Sequence, residues 1–198
     1  FVAGAEGEAT VKAEAQGKKA EGWAITGPRV RTLEDFEGPG TWRAAAYPNW
    51  IPAYLRLSSQ QSRHGLRAGE LRYDFCAATG TAAAYGLWGE EIGSPVAIGA
   101  WVYGDGGGHL LRCRLRGGQG QGAPADMAFD MSPRLDWEGE WRCVGFRLPA
   151  DFPGPVKLMS IYVAETDPQK RTQGVIYIDD VRAAYPASAA TPLPARPR

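Results

Sequence analysis

The sequence predicts an all-β fold, a sandwich of two antiparallel sheets, and two features carry that expectation. Strand-length apolar runs recur from Leu33 to Tyr185 between clusters of glycine and proline, as in a domain of many short strands joined by turns. Within the runs the hydrophobic period is two. Leu71, Tyr73 and Phe75 alternate with Arg72 and Asp74, and Leu111, Cys113 and Leu115 alternate with Arg112, Arg114 and Arg116. No stretch has the period of an amphipathic helix. Ala77–Ala84 is alanine-rich, but Thr79-Gly80-Thr81 in its middle makes it a loop running into a strand.

In chain order, Val11, Ala13 and Ala15 alternate with Thr10, Lys12 and Glu14, the chain turns at Gln16-Gly17-Lys18, and a second strand runs from Ala20 to Thr26. This is a hairpin signal. A lone hairpin is marginal in water, so it either packs on the main domain or ends a preceding one. We favour the second, with Gly27-Pro28 as the boundary. The main strands are expected at Gly65–Phe75, Ala82–Trp88, Val96–Tyr103, His109–Arg116, Glu140–Leu148, Val156–Ala164 and Gly174–Ala184. Residues 1–30 thus read as a domain tail or linker hairpin, 31–185 as the sandwich, and 186–198 as an Ala/Pro-rich linker. Gly104-Asp105-Gly106-Gly107-Gly108 is expected to be a hairpin turn and Gly117–Gly122 a flexible loop, since neither opens a helix as a phosphate cradle does.

With 44% hydrophobic residues in 198, the chain can bury a core of ordinary domain size. Lysine plus arginine and aspartate plus glutamate both number 22, so no global field draws in nucleic acid or an anionic membrane. No apolar run approaches the ~20 residues of a membrane span. The chain starts at Phe1 without a leader pattern and reads as a piece of a longer polypeptide. Cys76, Cys113 and Cys143 are too scattered for a metal or redox motif. They are expected to be small core residues with at most one disulfide between them.

Five strings are more specific together than apart: "LEDFEG" at Leu33–Gly38 with Trp42, "SRHGLRAGELRYDF" at Ser62–Phe75, "WVYGDGGGHLLRCRLR" at Trp101–Arg116, "DWEGEW" at Asp136–Trp141 and "IYIDDV" at Ile176–Val181. They resemble a galactose-binding-like jelly-roll carbohydrate-binding module. More narrowly, "WVYGDGGGHLLRCRLR", "LDWEGEWRCVGFRLP" at Leu135–Pro149 and "LMSIYVAETDPQKRTQGVIYIDDV" at Leu158–Val181 look like the C-terminal module of bacterial phosphodiester glycosidases, secreted proteins with the catalytic domain upstream. There an Ig-like domain often precedes the module, which fits the N-terminal hairpin.

The resemblance implies a structural calcium tying the opening segment to the last strand, and nominates Asp35, Glu37 and Asp179 with carbonyls from Arg63–Arg67. Calcium takes hard oxygens of this kind. The alternative is a solvated acidic turn, with Asp179 and Asp180 paired to Arg182 or Arg67. The resemblance also implies a sugar face of aromatic rings. Trp42, Tyr73, Trp141 and Tyr162 sit among alternating apolar residues and are expected in the core. Trp88, Tyr103, His109, Arg112 and Arg114 are the candidate contacts, with Arg116 and Trp50 beside them. The arginines at i, i+2 and i+4 share one strand face, where they either bind a polar or acidic glycan or pair with Glu165 and Asp167. The carboxylates of Asp136–Trp141 fall in one short turn, and no nucleophile elbow or zinc motif is present.

The expected function is a non-catalytic module that binds a polysaccharide or oligosaccharide and holds neighbouring domains of its polypeptide near a glycan, at the cell surface or in the medium. The alternative is an interaction domain that packs against a phosphodiester glycosidase domain and binds no sugar.

Overall fold

A computed structural model describes residues 7–15, 18–26, 29–118, 126–132 and 134–186. The turn at Gln16-Gly17, the Gly27-Pro28 boundary, most of the Gly117–Gly122 loop and the linker after Pro186 lie outside the described residues.

The strands are β1 Gly7–Ala15, β2 Lys18–Thr26, β3 Val30–Glu34, β4 Arg43–Tyr47, β5 Ala53–Ser58, β6 Ala68–Asp74, β7 Ala82–Gly93, β8 Ala97–Asp105, β9 Leu110–Gly117, β10 Met127–Ser132, β11 Glu138–Arg147, β12 Val156–Glu165 and β13 Gln173–Ala184. One sheet has the order β10-β9-β12-β7-β4. The other has β11-β8-β13-β6-β5, with β3 also pairing the end of β13. All pairs are antiparallel. From β6 to β9 and again from β10 to β13, the chain crosses from one sheet to the other at each connection, as a jelly roll does. The expected sandwich is the observed one. Four of its strands, β3, β4, β5 and β10, are not among the expected ones, because short or alanine-rich runs carry little hydrophobic period.

Gly104–Gly108 departs from its expected role. β8 and β9 do not pair, and the segment passes between the two sheets instead of closing a hairpin. Its glycines are needed for that passage. Gly106 and Gly108 have φ of 68° and 69°, and a Cβ on Gly104 would lie 2.3 Å from the Trp137 carbonyl oxygen.

Between the sheets, Leu111, Cys113 and Leu115 of β9 meet Leu158, Ile161 and Val163 of β12 and Ile176 and Ile178 of β13 in one cluster. Burying each large side chain contributes about 1.5–3 kcal/mol. The core also takes in Trp137, whose Nε1 donates to the Val102 carbonyl at 3.3 Å. The β1–β2 hairpin touches the sandwich through Ile25, packed on Ala97 and Ala184. The three cysteines are free: Cys113 is core, Cys143 half-buried and Cys76 exposed, so the last is not the core residue expected.

Gly104→Ala is therefore expected to lower stability by about 1–3 kcal/mol through overpacking, whereas Gly80→Ala, with open space around its Cβ, should leave the urea midpoint nearly unchanged. Equal midpoints for the two variants would mean that the Trp137 contact does not constrain the crossing.

Candidate functional site

The pairing register fixes what the five-stranded sheet presents to solvent. Residues opposite one another across an antiparallel pair point to the same side. One row across the sheet is Asp130, Arg112, Tyr162, Tyr85 and Ala45. The next is Ala128, Arg114, Ser160, Leu87 and Arg43, and above the first lie Ala164, Ala83 and Tyr47. Because Cys113 and Ile161 take the core side, the arginines and tyrosines take the outer one. There Tyr85 and Tyr162 pack at 4.8 Å between ring centroids, with Ala83 and Ala164 in a small cluster separate from the main core. The Arg114 guanidinium lies 5.4 Å from the Tyr85 centroid and 5.8 Å from that of Tyr162, within cation–π reach. Arg112 Nε donates to Asp130 Oδ1 at 2.7 Å, and Arg116 Nε to Asp126 Oδ1 at 2.6 Å. Tyr47 and the neighbouring Trp50 are both more than half exposed, at 58% and 56%.

This sheet face is an alanine-floored surface with a tyrosine pair in the middle, arginines along one side and exposed rings at one end. It sets the half-buried Tyr85 ring and the exposed Tyr47 and Trp50 rings on the same side as guanidinium donors, while Tyr162 itself is buried, at 4%.

Of the expected contacts, the structure brings Arg112 and Arg114 together here and disperses the others. Trp88 stacks on Trp42 at 5.4 Å and 14° and packs against the core. Tyr103 belongs to β8 and stands on the outer face of the opposite sheet, edge-on to Trp141 and Tyr177. Trp141, expected in the core, is with it there. Tyr162 is buried as expected, yet on the outer face and outside the main core.

His109 is fully buried. Its Nδ1 lies 3.0 Å from Glu165 Oε2 and its Nε2 2.9 Å from Thr172 Oγ1, between the Tyr73 and Phe75 rings. It is a scaffold residue, and the expected solvent contact is corrected. Nor do Glu165 and Asp167 neutralise the arginine stripe: Glu165 is held by His109 and Arg134, and Asp167 by Lys170. Burial acts to raise the Glu165 carboxyl, but the amides of Asp167 and Thr166 and the His109 ring outweigh it and hold the group below its ordinary range.

The same sandwich recurs in solved structures of low sequence identity. A family 11 carbohydrate-binding module of Clostridium thermocellum, solved with a β-1,3-1,4-mixed-linked tetrasaccharide, has 13% identity and TM-score 0.52, covering 79% of this chain and 95% of that one. A family 30 carbohydrate-binding module has 10% identity and TM-score 0.56, covering 79% and 99%. A third structure, from work on promiscuous specificity in modules of the β-sandwich superfamily, has 13% identity and TM-score 0.56, covering 88% and 73%. The fold is that of the β-sandwich carbohydrate-binding modules. No protein-family model matches the chain, and no curated protein is significantly similar to it.

The expected cation site does not fit calcium. The ion needs roughly six to eight oxygen ligands, but the 63–67 turn offers its N–H groups to the two carboxylates instead. Arg63 N and His64 N donate to Asp179 Oδ2 at 2.7 and 2.9 Å. Leu66 N and Arg67 N donate to Glu37 Oε1, both at 2.8 Å. The Arg67 guanidinium takes the Glu37 carbonyl, and Asp35 Oδ1 accepts from Glu37 N at 3.1 Å. Among the described residues no cluster of three metal-binding side chains forms. Glu37 of the opening segment and Asp179 of the last strand both hold the 63–67 turn, through amide and guanidinium donors. Asp180, in left-handed backbone at φ 49°, pairs with Arg182 and accepts from Thr32.

Asp179 has one buried oxygen, Oδ1, without a partner. Burial raises its carboxyl above the ordinary value, with the amides of His64, Arg63 and Asp180 opposing the shift and the Asp180 charge adding to it. A raised carboxyl favours the fold below the unfolded value and loses that contribution as pH rises. Asp179→Asn is thus expected to be near-neutral at about pH 4 and to gain on the wild type towards about pH 7. Glu165→Gln has the opposite sign, its cost growing over the same range because the Glu165 carboxyl is lowered. Urea titrations at both pH values check this, and a calcium ligand at position 179 would instead make the Asn variant lose stability in calcium and the wild type sensitive to chelator.

Proposed function

We propose that the chain is a non-catalytic carbohydrate-binding module whose glycan lies across the outer face of the five-stranded sheet. The observation that carries this reading is the Tyr85–Tyr162 pair, with Arg114 against both rings and Arg112 opposite Tyr162 in the pairing, among the small side chains of Ala45, Ala83 and Ala164. The apolar face of a sugar ring stacks on an aromatic ring, and its hydroxyls accept from guanidinium groups. Tyr47 and Trp50 extend the surface at the exposed end. The structural neighbours are carbohydrate-binding modules, one of them with its tetrasaccharide, and their sandwich supports the same use here.

Absence of catalysis is part of the proposal. Asp136 just before β11 and Glu138 and Glu140 at its start are exposed, and Arg142 pairs with Glu140 at 2.5 Å and with Asp136 at 3.7 Å. They do not face one another across a cleft as hydrolysis of a glycosidic bond requires. The module's task is then to raise the effective concentration of glycan near an attached domain. We place that domain in a phosphodiester glycosidase-like protein, secreted or on the cell surface, on the strength of the sequence resemblance. Among the described residues no helix is long and apolar enough to cross a membrane.

In affinity electrophoresis over a panel of soluble polysaccharides, Tyr85→Ala and Tyr47→Ala are expected to weaken retention roughly 3- to 10-fold each, with Tyr103→Ala unchanged. Loss in Tyr103→Ala with retention intact in the other two would move the site to the six-stranded sheet.

A further inference from the structure

The outer face of the five-stranded sheet holds more cation than its own acids neutralise. Arg112 and Arg116 are matched by Asp130 and Asp126, and Lys157 stands opposite Glu91. Arg114 has no carboxylate partner among the described residues; its contacts are the two tyrosine rings. Residues 119–125, in the connection from β9 to β10, contain no aspartate or glutamate and so bring none to it. Arg43 of β4 is exposed and also has no ion pair among the described residues. Both lie in one cross-strand row, Arg114, Ser160, Leu87, Arg43. Three strand spacings separate them, ~14 Å. That is the span of an oligosaccharide and not of a single sugar.

We propose that the glycan is a uronic-acid polymer, with one sugar carboxylate received by Arg114 beside Tyr85 and a second, further along the chain, by Arg43. This rests on the reading of the face as a sugar site and names the ligand class for it. A guanidinium presents two parallel N–H donors that match the two oxygens of a carboxylate. Arg114 is already held against Tyr85 and Tyr162, so less rotamer freedom is lost when it binds. The sparse pattern matters as much as the sign. Two unmatched cations far apart suit single carboxylates spaced along a chain. A densely sulfated polymer would meet Asp126 and Asp130 on the same face and be repelled.

The test is binding of the full chain to an array of galacturonate, glucuronate, mannuronate and guluronate oligomers. Beside each stands its carboxyl-reduced, neutral counterpart, together with neutral mixed-linked β-glucan and a sulfated galactan. At least one uronate oligomer should bind roughly 10- to 100-fold more tightly than its reduced counterpart, with affinity falling as salt rises. Arg114→Gln should abolish most of that ratio and Arg43→Gln part of it, while circular dichroism and melting temperature stay at wild-type values. Equal binding of charged and reduced oligomers, preference for the sulfated galactan, or a ratio untouched in Arg114→Gln overturns the assignment of uronates and leaves the sugar-binding reading standing. No binding to any glycan, neutral or charged, defeats that reading as well.

Discussion

Burial of one side of β9 and β12 between the sheets is the constraint on which the rest depends. Leu111, Cys113 and Leu115 on one strand and Leu158, Ile161 and Val163 on the other fill the core, and a strand has only two sides. Arg112, Arg114 and Arg116 are thereby forced out together, as are Tyr162 and, across the next pair, Tyr85. A slip of β9 by one residue would bury three guanidinium groups, at a cost no surrounding contact could offset. The chemistry of the candidate face is thus a consequence of how the core is packed. The residues that bind can change with little effect on the fold, because the alternating partners hold it.

Where the chain leaves the sheets, carboxylates take over from apolar contact, Glu34, Asp179 and Glu165 buried and Glu37 half-buried. Glu34 accepts the amides of Asp35 and Phe36 and the Trp42 indole. Glu37 and Asp179 accept amides of the 63–67 turn, and Glu165 those of Thr166 and Asp167. Each satisfies backbone donors of a loop, which where buried would otherwise go unpaired. The same donors bear on the expected calcium site, because one oxygen of Glu37 and one of Asp179 are already taken by backbone amides.

The period of two made the sandwich and the core side of β9 legible from sequence. It held more than was drawn from it. His109 has the same parity as Leu111 and Cys113, so the alternation that sends the arginines out sends His109 in, as observed. Parity cannot say which sheet a strand joins. Tyr103 faces outward on β8 as its period requires, but Gly104–Gly108 carries the chain to the other sheet and leaves Tyr103 and Arg112 on opposite sides of the molecule. Tyr85 sits in an alanine-rich strand that shows little period, and its partner Tyr162, among apolar residues, has the pattern of a core residue. Asp130 and Asp126, which neutralise two of the arginines, lie on β10 and just before it, a strand too short and mixed to show in the pattern. Long-range pairing of that kind is set by the fold as a whole and leaves no local trace.

The central claim is that a glycan occupies the outer face of the five-stranded sheet. It is tested most directly by titrating the isotope-labelled chain with the best-retained oligosaccharide and mapping backbone amide shifts by NMR. The account predicts shifts concentrated at Arg43–Tyr47, Ala83–Leu87, Arg112–Arg116 and Ser160–Ala164. Shifts centred on Trp101, Tyr103 and Trp141 would contradict it.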